Sequence, residues 1–347
     1  MISIAGRAIG ADHPPFVVAE LSGNHNGSLE RALAIVDAVA ASGAHALKLQ
    51  TYRPDTLTID CDGPAFRLGD GHELWGGETL YRLFERAHTP WEWHEPIFER
   101  ARRHGLIAFS SPFDPTAVEF LEKLDVPAYK IASSEIVDLP LIRLAAATGK
   151  PLIISTGMAS TREIQDALGA AREAGCTELA VLSCTASYPA SPAESNLRSL
   201  PRLAALTGEV VGVSDHTPGI GVPLAAVALG ACLIEKHVTM SRAEGGVDSA
   251  FSLEPAELAA LVVESGRAWQ SLGGVDIGPR PSELEGLRFR RSLYVVRDVR
   301  AGEEVTSENV RSIRPAGGLP PDAAGEVMGR RFTRDVPFGT PLSWDLI

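Results

Sequence analysis

The chain has 347 residues, enough for one large α/β domain and a small appendage. Its hydrophobic content of 45% is that of an ordinary globular protein, and no apolar run approaches the ~20 residues that cross a bilayer, so we expect no membrane partner. The formal net charge of −12 argues against a nucleic-acid surface but does not exclude an anionic small molecule.

The first residues show no basic segment followed by a long apolar one, so we expect no secretory signal and a cytoplasmic location. Four widely spaced cysteines without a C-x-x-C pair predict free thiols. A first strand is predicted at residues 16–21 and a first helix at residues 29–41. Ser28 can cap that helix, and Gly43 can end it.

Strand-like and helix-like segments then alternate as far as residue 272. Residues 52–90 interrupt them with a long insertion rich in Gly, Asp and aromatic side chains, which we interpret as a functional loop or lid. The further predicted strands are residues 46–51, 106–111, 128–133, 151–156, 178–184, 211–217 and 233–237. The further predicted helices are residues 91–104, 115–124, 139–147, 161–174, 199–207, 222–230 and 255–272.

Eight strands, each followed by a helix, predict an α/β fold of the (β/α)8 TIM-barrel type, with a doubly wound open sheet as the competing layout. Polar residues at the strand ends favour the barrel, because a barrel brings all eight sets to one mouth, where active sites lie. These residues are Glu20; Lys48 with Gln50; Ser110 with Ser111; Lys130 with Ser133 and Glu135; Ser155 with Thr156; Ser183 with Thr185; Asp215 with His216; and Glu235 with His237.

The two histidines end consecutive strands of one βαβ unit, which places His216 and His237 side by side at one edge of the sheet. A lone histidine is usually structural, but this matched pair with nearby carboxylates predicts part of a divalent-metal site. Lys48, Lys130 and the strand-end hydroxyls suit a phosphate or carboxylate, so the predicted substrate is a small phosphorylated acid. Schiff-base chemistry at either lysine is the rival interpretation.

The pattern changes after residue 272. The Gly/Pro-rich run at residues 273–281 indicates a linker, and short β-like runs follow it. We expect a barrel at residues 1–272, a linker at 273–289 and a small β domain at 290–347. A domain of this size is marginal alone, so we expect it to dock on a barrel, its own or a partner's.

Short motifs surround the polar strand ends of the barrel. They are Ala19-Glu-Leu-Ser-Gly-Asn-His-Asn-Gly27, Lys48-Leu-Gln-Thr51, Ser111-Pro-Phe113, Tyr129-Lys-Ile-Ala-Ser133 with Glu135, Ser155-Thr-Gly-Met158, Cys184-Thr185 with Tyr188-Pro189, Ser214-Asp-His216 and Glu235-Lys-His237. With these motifs the chain resembles the sialic acid synthase family, the phosphoenolpyruvate-dependent synthases of nonulosonic acids, over its whole length. The tail, with Arg290-Arg-Ser-Leu-Tyr294 and Arg314-Pro315, resembles the antifreeze-protein-like (SAF) domain of that family.

Within the family, several stretches resemble the pseudaminic acid synthases more than the N-acetylneuraminate synthases, with legionaminate synthases as a further alternative. Ala186 also departs from the neuraminate branch, which carries an Asn there. The stretches are Leu49-Gln-Thr-Tyr-Arg-Pro-Asp55, Leu74-Trp75 with Leu80-Tyr81, Thr89-Pro-Trp-Glu-Trp-His94, Ser110-Ser-Pro-Phe113 and Asp248-Ser-Ala-Phe-Ser-Leu253.

The resemblance implies a transferase that joins phosphoenolpyruvate to an amino-deoxy hexose, with a divalent metal such as Mn²⁺ (alternatively Mg²⁺ or Co²⁺) on His216 and His237. It also implies a domain-swapped homodimer in which the tail of one subunit closes the site of the other. An inactive sugar-binding barrel is disfavoured by the intact histidine pair. The implied catalytic residues are Glu20, Glu135, His216 and His237, and the implied substrate-binding residues are Lys48, Gln50, Ser111, Lys130, Ser133, Ser155, Tyr188, Ser214, Asp248 and Arg314.

Overall fold

The computed structural model describes residues 1–69 and 75–347, and the chain divides into two compact units, Met1–Gly273 and Gly274–Ile347. The first unit starts with an antiparallel hairpin of β1 (Ile2–Ile4) and β2 (Arg7–Ile9), which we did not predict. Ala5 and Gly6 have φ values of 50° and 79°. Positive φ at both central residues is typical of the turn that matches the twist of a hairpin.

Eight parallel strands close into a barrel in the order β10-β3-β4-β5-β6-β7-β8-β9. Their residues are almost all buried, as an all-parallel sheet covered by helices requires. The predicted TIM-barrel class is therefore confirmed. The strands are β3 (Phe16–Glu20), β4 (Ala46–Thr51), β5 (Ile107–Pro112), β6 (Tyr129–Ile131), β7 (Leu152–Ser155), β8 (Leu179–Cys184), β9 (Val210–Asp215) and β10 (Leu233–His237).

Helices follow the barrel strands, and several begin at side-chain caps that the sequence provides. The hydroxyl of Ser28 accepts a hydrogen bond from the backbone N–H of Arg31, as predicted, and Asp114 and Ser160 cap later helices in the same way. The helices are α1 (Leu29–Ala41), α2 (Pro54–Leu57), α3 (Leu80–Ala87), α4 (Trp91–Arg103), α5 (Pro115–Lys123), α6 (Leu139–Ala146), α7 (Thr161–Glu173), α8 (Leu200–Thr207), α9 (Gly221–Ala228) and α10 (Pro255–Leu272).

Strands β9 and β10, whose ends lead to the two histidines, approach each other closely at Gly212. A Cβ at Gly212 of β9 would lie 2.2 Å from the carbonyl oxygen of Leu233 in β10, so only glycine fits at this position. The register places Glu235 opposite Ser214 and Lys236 opposite Asp215. Side chains alternate between the two faces of a strand, so these two pairs lie on opposite faces of the sheet.

The second unit has a small apolar core of its own, built around Leu293, Val295, Val310 and Phe332. Its elements are a 3₁₀ helix (Pro281–Phe289), β11 (Ser292–Val295), β12 (Val310–Ile313), which pairs with β11 antiparallel, and α11 (Ala324–Val327). All four cysteines are free. Within residues 1–69 and 75–347, none of the helices has the length and apolar character needed to cross a membrane.

Candidate active site

A cavity of about 210 Å³ opens beyond the C-terminal ends of the barrel strands. Six predicted site residues line it, together with apolar and aromatic side chains from the insertion and from the loops after the strands. The lining residues are Ser22, Gln50, Tyr52, Trp75, Leu83, Phe84, Ala87, Phe113, Ala132, Ser133, Ser134, Glu135, Tyr188, His237, Val247 and Asp248.

His216 follows β9 directly and His237 is the last residue of β10, and their ring centroids are 5.2 Å apart. Nδ1 of His216 lies 3.0 Å from the carbonyl oxygen of Thr185. Because a carbonyl can only accept, Nδ1 carries the proton and Nε2 presents a lone pair. Burial lowers the pKa of His216 to about 4, so the ring is neutral at pH 7, as a metal ligand must be.

His237 is also held as a neutral ring. Burial, and then the neighbouring His216, lowers the pKa of His237 well below its usual value. Its Nδ1 is buried without a hydrogen-bond partner among the described residues, and it lies 3.7 Å from Oδ2 of Asp248. An orphaned imidazole nitrogen costs free energy unless a ligand satisfies it.

The histidine pair therefore fits a divalent cation, which imidazole nitrogen binds well. Within residues 1–69 and 75–347, no group of three or more His, Cys, Asp and Glu side chains is placed to hold a metal ion. The protein thus provides two neutral nitrogen ligands, with the carboxylate of Asp248 close to one of them.

A buried charge cluster lies on the barrel axis beside the histidines. The ammonium of Lys48 pairs with Glu20 and lies 3.6 Å from Glu235, which in turn lies 3.5 Å from the ammonium of Lys130. Each of these four side chains is at most 5% exposed. Two ammonium groups and two carboxylates thus share one water-excluded volume, where their interactions are strong.

Burial and pairing move the pKa values of this cluster in different directions. Burial raises the pKa of Glu20 to about 7, against the opposing effect of Lys48. Burial also opposes ionisation of Glu235 and Lys48, but the opposite charges outweigh it, so the pKa of Glu235 is lowered and that of Lys48 is raised. For Lys130, burial dominates and lowers the pKa despite Glu235. The pKa of Glu20 therefore lies near neutral pH.

Burial disfavours the charged form of two acidic side chains on the cavity wall. Glu135 lies on a 3₁₀ turn (Ser134–Val137) after β6, and its Oε2 is buried with no hydrogen-bond partner in the described parts of the chain. Burial raises the pKa of Glu135 to about 7. Burial also raises the pKa of Asp248, which accepts a 3.5 Å hydrogen bond from the backbone N–H of Gly23.

The predicted serines occupy different positions around the cluster. Ser111 accepts a hydrogen bond from Lys48 (3.2 Å), and Ser214 donates one to Glu235 (3.2 Å), so both belong to the charge cluster. Ser133 lines the cavity and accepts from the backbone N–H of Gly157 (3.1 Å). The buried hydroxyl of Ser155 has no partner among the residues described.

One side of the cavity is apolar and aromatic. The ring of Tyr52 meets Phe84 of α3 and Phe113 edge-on, at centroid distances of 5.8 and 5.3 Å. Leu83, on the same helix, is 5% exposed. Tyr188 reaches from the other side and places its ring 4.5 Å from that of His216. The insertion thus supplies a wall suited to the methyl groups of a ligand.

The predicted site residues of the barrel line the cavity or belong to the charge cluster and the histidine pair, except Ser155, whose buried hydroxyl lies at the end of β7. Arg314 is exposed in the second unit, and Leu74 of the insertion motif lies outside the described residues. Glu235 was noted at a strand end but was not included among the predicted site residues, although it contacts both lysines. Its position two residues before His237 would have placed it on the same face of β10.

The NeuB family matches residues 35–276, and the SAF domain matches residues 290–347. A pseudaminic acid synthase of Campylobacter jejuni is 41% identical, covering 95% of this chain and 96% of that protein. An N,N'-diacetyllegionaminic acid synthase of Legionella pneumophila is 35% identical, covering 96% of this chain and 94% of that protein. The crystal structure of an N-acetylneuraminic acid synthetase of Leptospira borgpetersenii in complex with citrate superposes with a TM-score of 0.72 at 33% identity, covering 82% of this chain and 94% of that one. This chain therefore belongs to the NeuB family, and it ends in a SAF domain.

Proposed function

We propose that this chain is a pseudaminic acid synthase, which condenses phosphoenolpyruvate with the open-chain aldehyde of 2,4-diacetamido-2,4,6-trideoxy-L-altrose and releases phosphate. The observation that carries the assignment is the 41% identity, over 95% of the chain, to a protein with this name. The cavity supports it, because it combines buried cations, a neutral histidine pair and an apolar wall.

His216 and His237 would hold a divalent metal such as Mn²⁺, with Mg²⁺ and Co²⁺ as alternatives. A metal bound there supplies a Lewis acid for the aldehyde oxygen of the sugar. Their neutral state and the orphaned Nδ1 of His237 support this role. Asp248, beside that nitrogen, would orient the ring or a sugar hydroxyl.

Lys48 and Lys130, with the hydroxyls of Ser111, Ser133 and Ser155, would hold the phosphate and carboxylate of phosphoenolpyruvate. Protonation of Glu20, whose pKa is about 7, removes one negative charge from beside Lys48 and so favours an anionic substrate there. Because Glu20 pairs with Lys48, we assign it to balancing the charge of that lysine rather than to proton transfer.

Glu135 would move the proton in the step that follows carbon–carbon bond formation. In that step water adds at C2 of the former phosphoenolpyruvate, the C2–O bond to phosphate breaks, and a base accepts the proton of the water. Glu135 faces the cavity with an unpaired oxygen, and its pKa of about 7 suits a group that both accepts and returns a proton.

Gln50, Tyr188 and Asp248 would bind the sugar from the barrel side, because all three line the cavity. Phe84 and Leu83 of α3 would contact its C6 methyl or acetamido methyl groups, which need apolar surroundings. Arg314 would complete the site from the SAF domain of a second subunit, in a domain-swapped homodimer. We also place the protein in the cytoplasm, because a phosphorylated substrate does not cross membranes unaided.

The 35% identity to a legionaminic acid synthase keeps a related diacetamido acceptor as the second candidate. A Schiff base at Lys48 is disfavoured, since its two carboxylate neighbours raise its pKa and keep it charged. Neither alternative accounts better for the histidine pair.

The assay is phosphate release from phosphoenolpyruvate with Mn²⁺ and a panel of acceptors: the L-altro diacetamido trideoxy sugar, its legionaminate counterpart and N-acetylmannosamine. We expect the L-altro sugar to give the largest kcat/KM, and mass spectrometry to find a product lacking the phosphate. A clear preference for another acceptor would reassign the chain within the family. If none of the acceptors supported phosphate release, the assignment would be wrong.

A further inference from the structure

A buried ion pair lies behind the two histidines, on the face of the sheet opposite the cavity. The ammonium of Lys236, in β10, donates a 2.9 Å hydrogen bond to Oδ2 of Asp215, its register partner in β9. The Lys236 side chain is fully buried and that of Asp215 is 4% exposed. The site described above uses neither residue.

The same ammonium also donates a hydrogen bond to the backbone carbonyl of Thr217. The Asp215 carboxylate in turn accepts from the backbone N–H of Thr217 (3.1 Å) and from its hydroxyl (3.0 Å). Asp215 and Thr217 are the residues on either side of His216, and Lys236 is the residue before His237. The Lys236 side chain therefore contacts the residues on both sides of His216, and its own backbone is adjacent to His237.

Stability alone does not explain this arrangement. Removing two charges from water costs several kcal/mol per ion in general, and replacing a buried pair with apolar residues is often neutral or stabilising. A buried ion pair can instead serve to hold neighbouring groups in a particular geometry. Here the neighbouring groups are the imidazole rings of His216 and His237, whose centroids are 5.2 Å apart.

We propose that Lys236 and Asp215 are positioning residues, which hold His216 and His237 at the spacing that a divalent metal requires. The inference rests on the metal site of the proposed function, but not on which sugar is the acceptor. Groups that orient metal-bound histidines typically change metal affinity about 10- to 100-fold when they are removed. We expect a loss of this size.

The test is Mn²⁺ binding to the full-length, metal-free chain, by electron paramagnetic resonance or calorimetry, without substrates. Lys236→Met should weaken Mn²⁺ binding about 10- to 100-fold. Lys150→Met is the control, because Lys150 forms a 2.7 Å ion pair with Glu122 just before β7, at the opposite end of the barrel. That variant should bind Mn²⁺ as the wild type does.

A double variant separates positioning from folding. Lys236→Met leaves Asp215 as a lone buried charge, which destabilises the fold, whereas Asp215→Asn/Lys236→Met removes both charges and should regain most of the stability. If the pair positions the histidines, the double variant is folded and still binds Mn²⁺ weakly. Wild-type affinity in a folded single or double variant would overturn the inference, whatever the sugar assay shows. A wild type that binds no Mn²⁺ would overturn the metal assignment and the inference with it.

Discussion

Glu135 is the side chain on which the proposed proton transfer depends. Glu135→Gln keeps the size of the side chain and removes its basicity, so we expect kcat to fall by about 10²-fold or more with a smaller change in the KM for phosphoenolpyruvate. Steady-state kinetics of phosphate release measure both. Glu95→Gln, an exposed substitution on α4, should have no effect. Equal rates for Glu135→Gln and the wild type would assign the proton transfer to another group.

The raised pKa of Glu135 also predicts a dependence of stability on pH. Its pKa is 4.5 in the unfolded chain and about 7 in the folded one, so the folded protein binds the proton more tightly between these values. The resulting stabilisation is complete below pH 4.5 and is lost as the pH rises through about 7. Relative to Glu135→Gln, the wild type should lose up to ~3 kcal/mol of unfolding free energy over that range. Denaturant titrations at pH 5 and 7.5 compare the two proteins, and parallel pH profiles would contradict the prediction.

The histidine pair gives a third prediction at this scale. His216→Ala and His237→Ala should each lose Mn²⁺ binding and activity, because each removes one of the two neutral nitrogen ligands. Chelation of the wild type should abolish phosphate release, and added Mn²⁺ should restore it. Full activity in excess chelator would remove the metal from the mechanism.

The sequence predicted which residue types meet at the barrel mouth but not how they pair. Strand ends identified Lys48, Lys130 and Glu235 in advance, since a barrel must bring them to one place. The pairing of Glu20 with Lys48 depends on distances between side chains of neighbouring strands, and the spacing of apolar residues along the chain does not predict these distances. Lys236 was not singled out in the sequence, although its alternation with Glu235 and His237 places it on the opposite face of β10.

At the scale of elements, helix α3 forms part of the apolar wall of the cavity, because it supplies Phe84 and Leu83 to the lining. Phe84→Ala removes part of the apolar wall, so kcat/KM for the trideoxy sugar should fall about 10-fold or more, while the KM for phosphoenolpyruvate is unchanged. Arg82→Ala is the control, because Arg82 is exposed on the same helix. An equal fall with every acceptor in the panel would show that α3 acts on the fold of the mouth and not on specificity.

The predicted strands and helices of the barrel agree with the structure to within about two residues at most ends, because buried parallel strands are short apolar runs with clear boundaries. The elements that were missed lie outside the β/α alternation that the sequence pattern shows. β1 and β2 have three residues each. Helix α3 has eight residues and lies in the insertion, where the spacing of apolar residues does not show where one element ends and the next begins. Such segments depend on tertiary contacts more than on local sequence.

At the scale of the whole molecule, the barrel contains every proposed group except one. Arg314 belongs to the second unit, which has its own apolar core. It is exposed there, beside the end of β12. A guanidinium can donate several hydrogen bonds in a fixed geometry, so a sugar bound in the cavity is a suitable partner for it. We therefore expect Arg314→Ala to lower kcat/KM for the sugar strongly, and Arg311→Ala, an exposed substitution on β12, to have little effect.

Whether Arg314 acts on its own barrel or on that of a partner can be decided by mixing two inactive proteins. In a swapped dimer of an Arg314→Ala chain with a His237→Ala chain, one site combines the intact barrel of the first with the intact tail of the second. Random exchange makes about half of the dimers mixed, each with one working site of two, so the mixture should regain about a quarter of wild-type activity. If each tail closes its own barrel, every site in the mixed dimer carries one defect. An inactive mixture, with subunit exchange verified by differently tagged chains, would therefore show that Arg314 does not act across the dimer.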